Sequence, residues 1–287
     1  MMRRLVRLVL FLMICLATLA ACATLRLVLS GADEAVRMRW QIRLTQWWAR
    51  ALLALLALRV NAEELQQPFG TQGTLFVSNH QSYLDTLVIA AHCPTLFVAK
   101  SEVSRWPLLG WLASLGGTIF IQRDCPHSNV QAFYQVCRAL RQGTNVVVFP
   151  EGTTTNGTRV LRFHPFFFAA AARTATPIQP LALRYLAINE KPLDHETRDA
   201  LCWYGEMDFV RHFWRLLHLP SAEAVLLALP PLEPHLEPYV ARSLASQAKA
   251  RIAAAYAAAT YQFTHERKPI WLDAMKTNAL IALKRWN

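Results

Sequence analysis

TLFVSNHQSYLDTLVIAAH (residues 74–92) combines two kinds of periodicity on either side of a polar turn. Residues 74–78 form a short apolar run, which is typical of a buried strand, and residues 84–92 predict a helix. His80 lies in the turn, and Asp85 follows five residues later. The order predicts a strand–turn–helix unit with a histidine and a carboxylate at the end of the strand. The spacing alone does not distinguish a catalytic pair from part of a metal site or from an ordinary turn.

Strands and helices alternate along the rest of the chain. Further strands are predicted at 95–100, 118–123, 145–150, 177–183 and 224–229, and helices at 101–115, 128–143 and 239–263. The polar residues 187–200 predict a surface loop. This alternation predicts an α/β fold with a mixed central sheet flanked by helices. We expect three parts: membrane-anchoring helices at 1–62, the α/β domain at 63–235, and a helical tail at 236–287 that packs on the domain or the membrane.

The composition favours a lipid surface as partner. Hydrophobic residues make up 54% of the 287 residues and charged residues 17%, yet the formal net charge is +11. A basic and apolar chain suits an anionic surface, and nine tryptophans favour lipid over nucleic acid. Because none of the six cysteines forms a CxxC spacing, the sequence predicts reduced thiols and neither a disulfide framework nor a metal site.

The N-terminal segment predicts a membrane helix. Residues 8–25 contain no charged residue and follow Arg3, Arg4 and Arg7. As a helix they would span about 27 Å, close to the thickness of a bilayer core. The alternative is a processed signal, since Leu-Ala-Ala-Cys at 19–22 resembles a lipoprotein site and would anchor an exported lipid-binding protein at Cys22. The retained helix is favoured because the apolar run continues past Cys22.

A second apolar run, residues 47–60, is too short to span a membrane. It begins with Trp47 and Trp48, which suits a helix at the membrane interface; burial in the protein core is the other interpretation. Basic residues flank both runs. A helical hairpin that dips into the bilayer from one side would place all of them in the cytosol. We therefore expect a membrane-associated hairpin at the inner membrane, with the catalytic domain on the cytoplasmic face.

Polar residues follow three of the predicted strands. His80 follows the strand at 74–78, Arg123 ends the strand at 118–123, and Glu151 begins the turn EGTTTNG (151–157) after the strand at 145–150. Open α/β sheets bind ligands at the carboxyl ends of their strands. If these strands are neighbours, the three side chains converge on one crevice.

Four motifs, in order, resemble those of the glycerolipid acyltransferase family, which includes bacterial 1-acyl-sn-glycerol-3-phosphate and lysophospholipid acyltransferases. The resemblance covers residues 70–185 and rests on Asn79-His80 with Asp85, on Gly117–Arg123 with the lead-in Lys100, Glu102, Pro107 and Gly110, on Phe149–Thr153, and on Pro177–Leu181. It implies transfer of an acyl group from acyl-CoA or acyl carrier protein to the hydroxyl of a lysolipid, with 1-acyl-sn-glycerol-3-phosphate as the expected acceptor and no further cofactor.

The resemblance also assigns roles to individual residues. His80 would deprotonate the acceptor hydroxyl and Asp85 would orient its ring, which agrees with the chemistry of a histidine base. The substrate-binding positions would be Lys100, Gly117, Arg123, Glu151, Gly152 and Thr153. Backbone amides near the start of the helix at residue 84 are expected to stabilise the oxyanion. A hydrolase that uses the same pair with water is an alternative.

The chain departs from the family pattern at Thr154. An arginine often follows the EGT triplet in the family and is thought to hold the acceptor phosphate, whereas here threonine follows Glu151-Gly152-Thr153. Either Arg159 or Arg162 replaces that contact, or the acceptor is a lysolipid without a phosphomonoester, such as lyso-ornithine lipid.

Overall fold

A computed structural model describes residues 1–62, 73–122, 125–234 and 240–265, so Arg123 lies outside the described residues. The helices are α1 (Met2–Val28), α2 (Glu34–Leu56), α3 (Leu84–His92), α4 (Leu109–Leu115), α5 (Pro126–Arg141), α6 (Phe166–Thr174), α7 (Phe209–Leu216) and α8 (Val240–His265). The strands are β1 (Leu58–Ala62), β2 (Leu75–Ser78), β3 (Leu96–Lys100), β4 (Ile119–Ile121), β5 (Val146–Val148), β6 (Ile178–Ile188), β7 (Lys191–Pro192) and β8 (Ala222–Ala228). Short 3₁₀ turns occupy Ser101–Arg105 and Arg198–Ala200.

The strands form one mixed sheet, which confirms the predicted fold class. Their order is β1-β8-β6-β2-β5-β3-β4, and β7 pairs with β6. The pairs from β6 through β2, β5 and β3 to β4 are parallel, as is β1 with β8, whereas β8 and β7 run antiparallel to β6. Strands β2 and β5 are therefore neighbours, and His80 and Glu151 follow their carboxyl ends on one edge of the sheet.

The sheet has a hydrophobic core on each face. Successive residues of β5 alternate between them: Val147 belongs to the cluster that includes α2, α3 and α7, while Val146 and Val148 belong to the cluster that includes α5, α6 and α8. Because both faces of the sheet are covered at β5, its residues are all apolar and form an unbroken apolar run in the sequence.

The first helix is apolar and leaves much of its surface uncovered. One stripe of α1, which includes Phe11, Cys15 and Cys22, is buried, whereas Val9, Met13 and Leu16 are each more than half exposed. It is the one helix of the described residues that is long and apolar enough to cross a membrane, with a mean hydropathy of 2.6 over its most apolar 18 residues. The helices α1 and α2 pack together. This arrangement agrees with the predicted hairpin and indicates membrane association.

The second apolar run, residues 47–60, begins as a helix and ends as a strand. It is helical as far as Leu56, with Leu52 and Leu53 buried in the core that includes α3. Ala57 then adopts a left-handed conformation, with φ 51°, and β1 begins at residue 58. The helix predicted to continue to residue 60 is therefore wrong at its end, because residues 58–62 hydrogen-bond to β8 as an edge strand.

Other elements differ from prediction for local reasons. The helix predicted at 101–115 is divided around Pro107, which has no backbone N–H and disfavours the helical conformation of the residue before it. The loop predicted at 187–200 begins with a hairpin: β6 continues to Ile188, and Asn189 and Glu190, both with positive φ, turn the chain into β7. The helices α6 and α7 were not predicted.

Candidate active site

His80 and Asp85 form a hydrogen-bonded pair at the end of β2. The imidazole Nδ1 lies 2.8 Å from Asp85 Oδ2, and the side chain of His80 is 18% exposed whereas that of Asp85 is fully buried. An ionised carboxylate only accepts hydrogen bonds, so Nδ1 carries the proton in this pair. The tautomer leaves the lone pair on Nε2, the ring nitrogen that does not face Asp85, free to accept a proton.

The carboxylate of Asp85 has donors on both oxygens. Oδ2 also accepts from the backbone N–H groups of Gln81 and Ser82, at 2.6 and 2.9 Å, and Oδ1 accepts from the Tyr185 hydroxyl at 2.6 Å. Burial, with the charge of Asp85, raises the pKa of Tyr185 far above its ordinary value, so the hydroxyl remains a donor. Hydrogen bonds of this kind stabilise a buried charge.

Two of the amides near the start of α3 already have partners, whereas the expectation that amides in this region stabilise the oxyanion stays a prediction. The N–H groups of Gln81 and Ser82 donate to Asp85, and that of His80 donates to Glu151 Oε1 at 2.9 Å. Their role here is to fix the turn that carries the histidine.

Two amide side chains attach this turn to β6. Asn79 Nδ2 donates to the Leu183 carbonyl at 2.8 Å, and the Leu183 N–H donates to Asn79 Oδ1 at 2.9 Å. Gln81 Nε2 also donates to the Leu183 carbonyl, at 2.8 Å. These contacts continue the pairing of β2 with β6 beyond the end of β2 and hold His80 in place.

Glu151 connects the third motif, Phe149–Thr153, to the histidine. Its Oε1 accepts from the His80 N–H, and its Oε2 accepts from the Leu161 N–H at 2.8 Å. The N–H of Thr155 donates to the His80 carbonyl at 2.9 Å. Burial raises the pKa of the Glu151 carboxyl above its ordinary value, and the hydrogen bonds from Leu161 and His80 partly oppose this shift. The structure thus gives Glu151 a positioning contact; its predicted part in substrate binding stays a prediction.

Phe149 supports the imidazole from one side. Its ring stacks on that of His80, with centroids 3.9 Å apart and planes inclined by 13°. The stack and the Asp85 contact together restrict the rotation of the His80 side chain.

A cavity of about 1130 Å³ opens beside this pair and contains most of the predicted substrate-binding positions. His80, Lys100, Glu151, Gly152 and Thr153 all line it. Gly117 does not: it occupies the turn before β4 with φ 82°, where an added Cβ would lie 3.1 Å from Leu96 and 3.3 Å from Met38.

The described lining of the cavity contains Lys100 but no arginine. Neither Arg159 nor Arg162, the expected substitutes for the missing family arginine, is among the lining residues, and both are exposed.

The cavity extends from the histidine to the N-terminal helices. Phe11, Thr18 and Cys22 of α1 and Trp48 and Leu52 of α2 line it, together with apolar residues of α3 and α4. An apolar passage between the helical hairpin and a histidine–carboxylate pair is suited to an acyl chain whose reactive end lies at His80. Cys22 is buried within α1 and faces this passage.

The chain is an acyltransferase: it belongs to the Acyltransferase family, whose model matches residues 58–184. The mixed α/β sheet and the His80–Asp85 pair agree with this class. It is 35% identical over 216 residues to a lyso-ornithine lipid O-acyltransferase of Pseudomonas aeruginosa, covering 75% of this chain and 78% of that protein. It is 32% identical over 167 residues to a 1-acyl-sn-glycerol-3-phosphate acyltransferase of Neisseria gonorrhoeae, covering 58% of this chain and 63% of that protein.

A solved structure has the same fold. The crystal structure of the 1-acyl-sn-glycerophosphate acyltransferase of Thermotoga maritima superposes with a TM-score of 0.57 at 19% identity, covering 88% of this chain and 98% of that one. The resemblance seen in the sequence motifs is therefore confirmed at the level of the family and the fold.

Sequence reasoning did not identify Tyr185 or the part played by the Phe149 ring. Tyr185 occurs within the apolar run of β6, and a buried tyrosine hydroxyl requires a hydrogen-bond partner. That requirement is a signal that the sequence contains, although it does not identify Asp85 as the partner.

Proposed function

We propose that this acyltransferase O-acylates a lysolipid at the membrane, and that the acceptor is lyso-ornithine lipid. The observation that carries the acyl-transfer step is the His80–Asp85 pair, with Nδ1 bound to the carboxylate and Nε2 free beside a cavity that reaches the N-terminal helices. The acyl donor is acyl-CoA or acyl carrier protein, and these cytosolic donors favour a domain on the cytoplasmic face of the inner membrane.

The reaction follows from the tautomer of His80. Nε2 accepts the proton of the acceptor hydroxyl while that oxygen attacks the thioester carbonyl carbon. Asp85 stabilises the resulting imidazolium through Nδ1–H, as a buried carboxylate does beside other catalytic histidines. The tetrahedral intermediate then collapses: the carbon–sulfur bond breaks, and the thiolate leaves with the proton that Nε2 returns. The products are the ester and a free thiol.

No serine of the enzyme is required as nucleophile. Ser78 and Ser82, which flank the histidine, are both fully buried. The hydroxyl of the substrate occupies the position that a nucleophilic serine takes in hydrolases.

The choice of acceptor rests on two observations. One is the similarity to lyso-ornithine lipid O-acyltransferases, which extends over a larger share of the chain than the similarity to the Neisseria enzyme. The other is the lining of the cavity, where Lys100 is the one lysine or arginine among the described residues. A phosphomonoester is usually bound by several cationic or N–H donors, most often including arginine. An acceptor without phosphate does not need such a set of donors from the described lining; Arg123, to which the motif resemblance assigns head-group binding, lies outside the described residues.

1-Acyl-sn-glycerol-3-phosphate is the second candidate acceptor. The order of the four motifs and the similarity to the Neisseria enzyme favour it, with Lys100 as the residue of the described lining that would contact its phosphate.

The test is an acceptor panel with purified full-length enzyme. Lyso-ornithine lipid and 1-acyl-sn-glycerol-3-phosphate are each supplied with acyl-CoA and with acyl carrier protein donors, and products are identified by mass spectrometry. We expect diacylated ornithine lipid as the main product. Phosphatidic acid as the main product would overturn the choice of acceptor but leave the reaction class intact.

The mechanism is tested by His80→Ala and Asp85→Asn. We expect kcat for Asp85→Asn to fall by about 10³–10⁴-fold, because an asparagine holds the wrong tautomer. Asp194→Asn, at an exposed carboxylate that also accepts backbone hydrogen bonds, is the matched control and should retain activity. Full activity of His80→Ala would exclude the histidine as base.

A further inference from the structure

Four aromatic side chains form one wall of the cavity near the histidine. These are Tyr83, Trp106, Trp203 and Phe209, all of which line the cavity. Their rings contact one another edge to face or tilted: the Trp106 and Phe209 centroids are 4.8 Å apart, and those of Tyr83 and Phe209 are 5.0 Å apart. We call this set the aromatic wall.

Hydrogen bonds hold two members of the aromatic wall in place. The Tyr83 hydroxyl lies 2.9 Å from Nδ1 of the buried His212. The indole N–H of Trp203 donates to the Met207 carbonyl at 2.9 Å and so closes the short loop 203–207. The ring faces are thus fixed before any ligand binds, which lowers the entropic cost of recognition.

Two carboxylates line the same cavity as the aromatic wall. Glu206, within the loop that Trp203 closes, and Glu102, which directly follows β3 and Ser101, both line the same cavity and are exposed. A purely apolar ligand gains nothing from a charged carboxylate beside it, whereas a cation gains from the carboxylates and from the negative faces of the rings.

We propose that the aromatic wall, together with Glu206 and Glu102, binds a cationic amine in the head group of the acceptor. The inference rests on the proposed function and deepens it, since the ornithine part of the acceptor carries a side-chain ammonium and no phosphate. Tyr83 follows His80 by three residues. The head group would therefore bind next to the base that receives the hydroxyl proton.

The wall would act as a determinant of acceptor specificity. Recognition of ammonium groups by aromatic rings is a general mode of binding, and a nearby carboxylate strengthens it. Lys100 lines the same cavity and would contact the carboxylate that an ornithine head group also carries. The two charges of the zwitterion would then have partners of opposite sign.

The experiment compares two acceptors that differ in one charge: lyso-ornithine lipid and the same lipid with its side-chain amine acetylated. For wild-type enzyme we expect kcat/KM to favour the cationic acceptor by about three- to thirtyfold, mostly through KM. Glu206→Gln, at an exposed position, and Trp203→Leu should each reduce that preference, whereas Trp203→Phe should retain more of it. Glu196→Gln, at an exposed carboxylate after β7 that is not among the lining residues, is the matched control.

The outcomes separate this inference from the proposed function. The inference is overturned if wild type acylates both ornithine acceptors equally, or if the variants lower the rates with both acceptors by the same factor. In either case the aromatic wall does not distinguish the charged acceptor from the neutral one. If no ornithine acceptor is acylated, the choice of acceptor fails, and lysophosphatidylcholine against 1-acyl-sn-glycerol-3-phosphate becomes the deciding pair. A preference for the choline acceptor that Glu206→Gln reduces would support the wall, and a preference for the phosphate acceptor would overturn it.

Discussion

The orientation of the histidine depends on one buried carboxylate, that of Asp85. Its oxygens accept from four groups: the His80 ring, the Gln81 and Ser82 amides and the Tyr185 hydroxyl. Burying an ionised carboxylate is costly unless donors replace the lost water. These contacts keep Asp85 fixed on the side of the imidazole away from Nε2, and the Tyr185 donor can be removed by substitution.

Removal of the Tyr185 hydroxyl should impair turnover more than binding. Tyr185→Phe keeps the ring in the core but leaves Asp85 Oδ1 without its 2.6 Å donor. A hydrogen bond to a charged group contributes about 1.5–3 kcal/mol, so we expect kcat to fall by roughly 10- to 100-fold with KM little changed. Tyr134→Phe, at an exposed tyrosine of α5, is the control. Equal kcat values for Tyr185→Phe and wild type would show that the hydroxyl does not position Asp85.

Glu151 should make the stability of the protein depend on pH. Burial raises the pKa of its carboxyl above the ordinary 4.5, so the folded protein binds a proton at this site more tightly than the unfolded chain. The contribution of this group to stability is therefore greatest below pH 4.5 and decreases as the pH rises through the raised pKa. Glu151→Gln removes the titration. We expect the unfolding free energy of wild type minus that of the variant to fall across this window.

The measurement for Glu151 is thermal or chemical unfolding of both proteins in the same detergent from pH 4 upwards. A constant offset is also expected, because glutamine offers one acceptor oxygen where the carboxylate binds two amides, those of His80 and Leu161. Only the change of the stability difference with pH tests the raised pKa of Glu151. A difference that does not change with pH would contradict it.

At the scale of elements, the junction between α2 and β1 is the tightest connection near the membrane helices. Ala57 alone separates the helix from the strand, and its φ of 51° is unfavourable for a residue with a Cβ. We expect Ala57→Gly to stabilise the protein by about 0.5–1 kcal/mol, since glycine tolerates this conformation but loses more entropy on folding. The thermal unfolding midpoint should rise by roughly 2 °C.

A second alanine of the same helix provides the control. Ala51→Gly, within regular helix, should destabilise by about 1 kcal/mol. Opposite signs for the two substitutions would identify backbone conformation as the cause. A loss of stability in both variants would mean that the Ala57 methyl contributes more through packing than it costs in strain.

The strands and helices with a clear apolar pattern could be predicted from the sequence. Those that depend on contacts with residues distant in sequence could not. Strands β2 and β5 were predictable because continuous apolar residues precede a polar turn. Strand β1 was not, because LALRV is apolar enough to continue the helix, and only its pairing with β8 makes it a strand. In the site, His80, Asp85 and Glu151 follow strands and could be placed together. Tyr185 could not, because its partner is 100 residues away.

At the scale of the whole molecule, the cavity joins the sheet to the N-terminal helices. Thr18 and Cys22 of α1 line it, so residues well outside the four motifs should affect which acyl chains are used. We expect Thr18→Phe, which adds bulk to the α1 side of the cavity, to lower kcat/KM for palmitoyl donors about tenfold, a loss comparable to the cost of overpacking. Octanoyl donors should be affected much less.

Thr18→Val, which has nearly the same size, is the control for that substitution. It removes the hydroxyl that donates to the Ile14 carbonyl without filling space, so chain-length preference should not change. A Thr18→Phe enzyme that lost activity equally with palmitoyl and octanoyl donors would indicate a general distortion of α1. A change confined to long donors would place the end of the acyl chain beside this residue.

The junction at Ala57 has a consequence for which lipids can react. Within the described residues, Ala57 alone separates α2 from an edge strand of the sheet. We therefore expect the imidazole to keep a nearly constant height relative to the bilayer surface. We expect the enzyme to select among hydroxyl groups partly by the depth at which each one lies in the leaflet, so that two lysolipids with the same head group but hydroxyls at different depths would react at different rates.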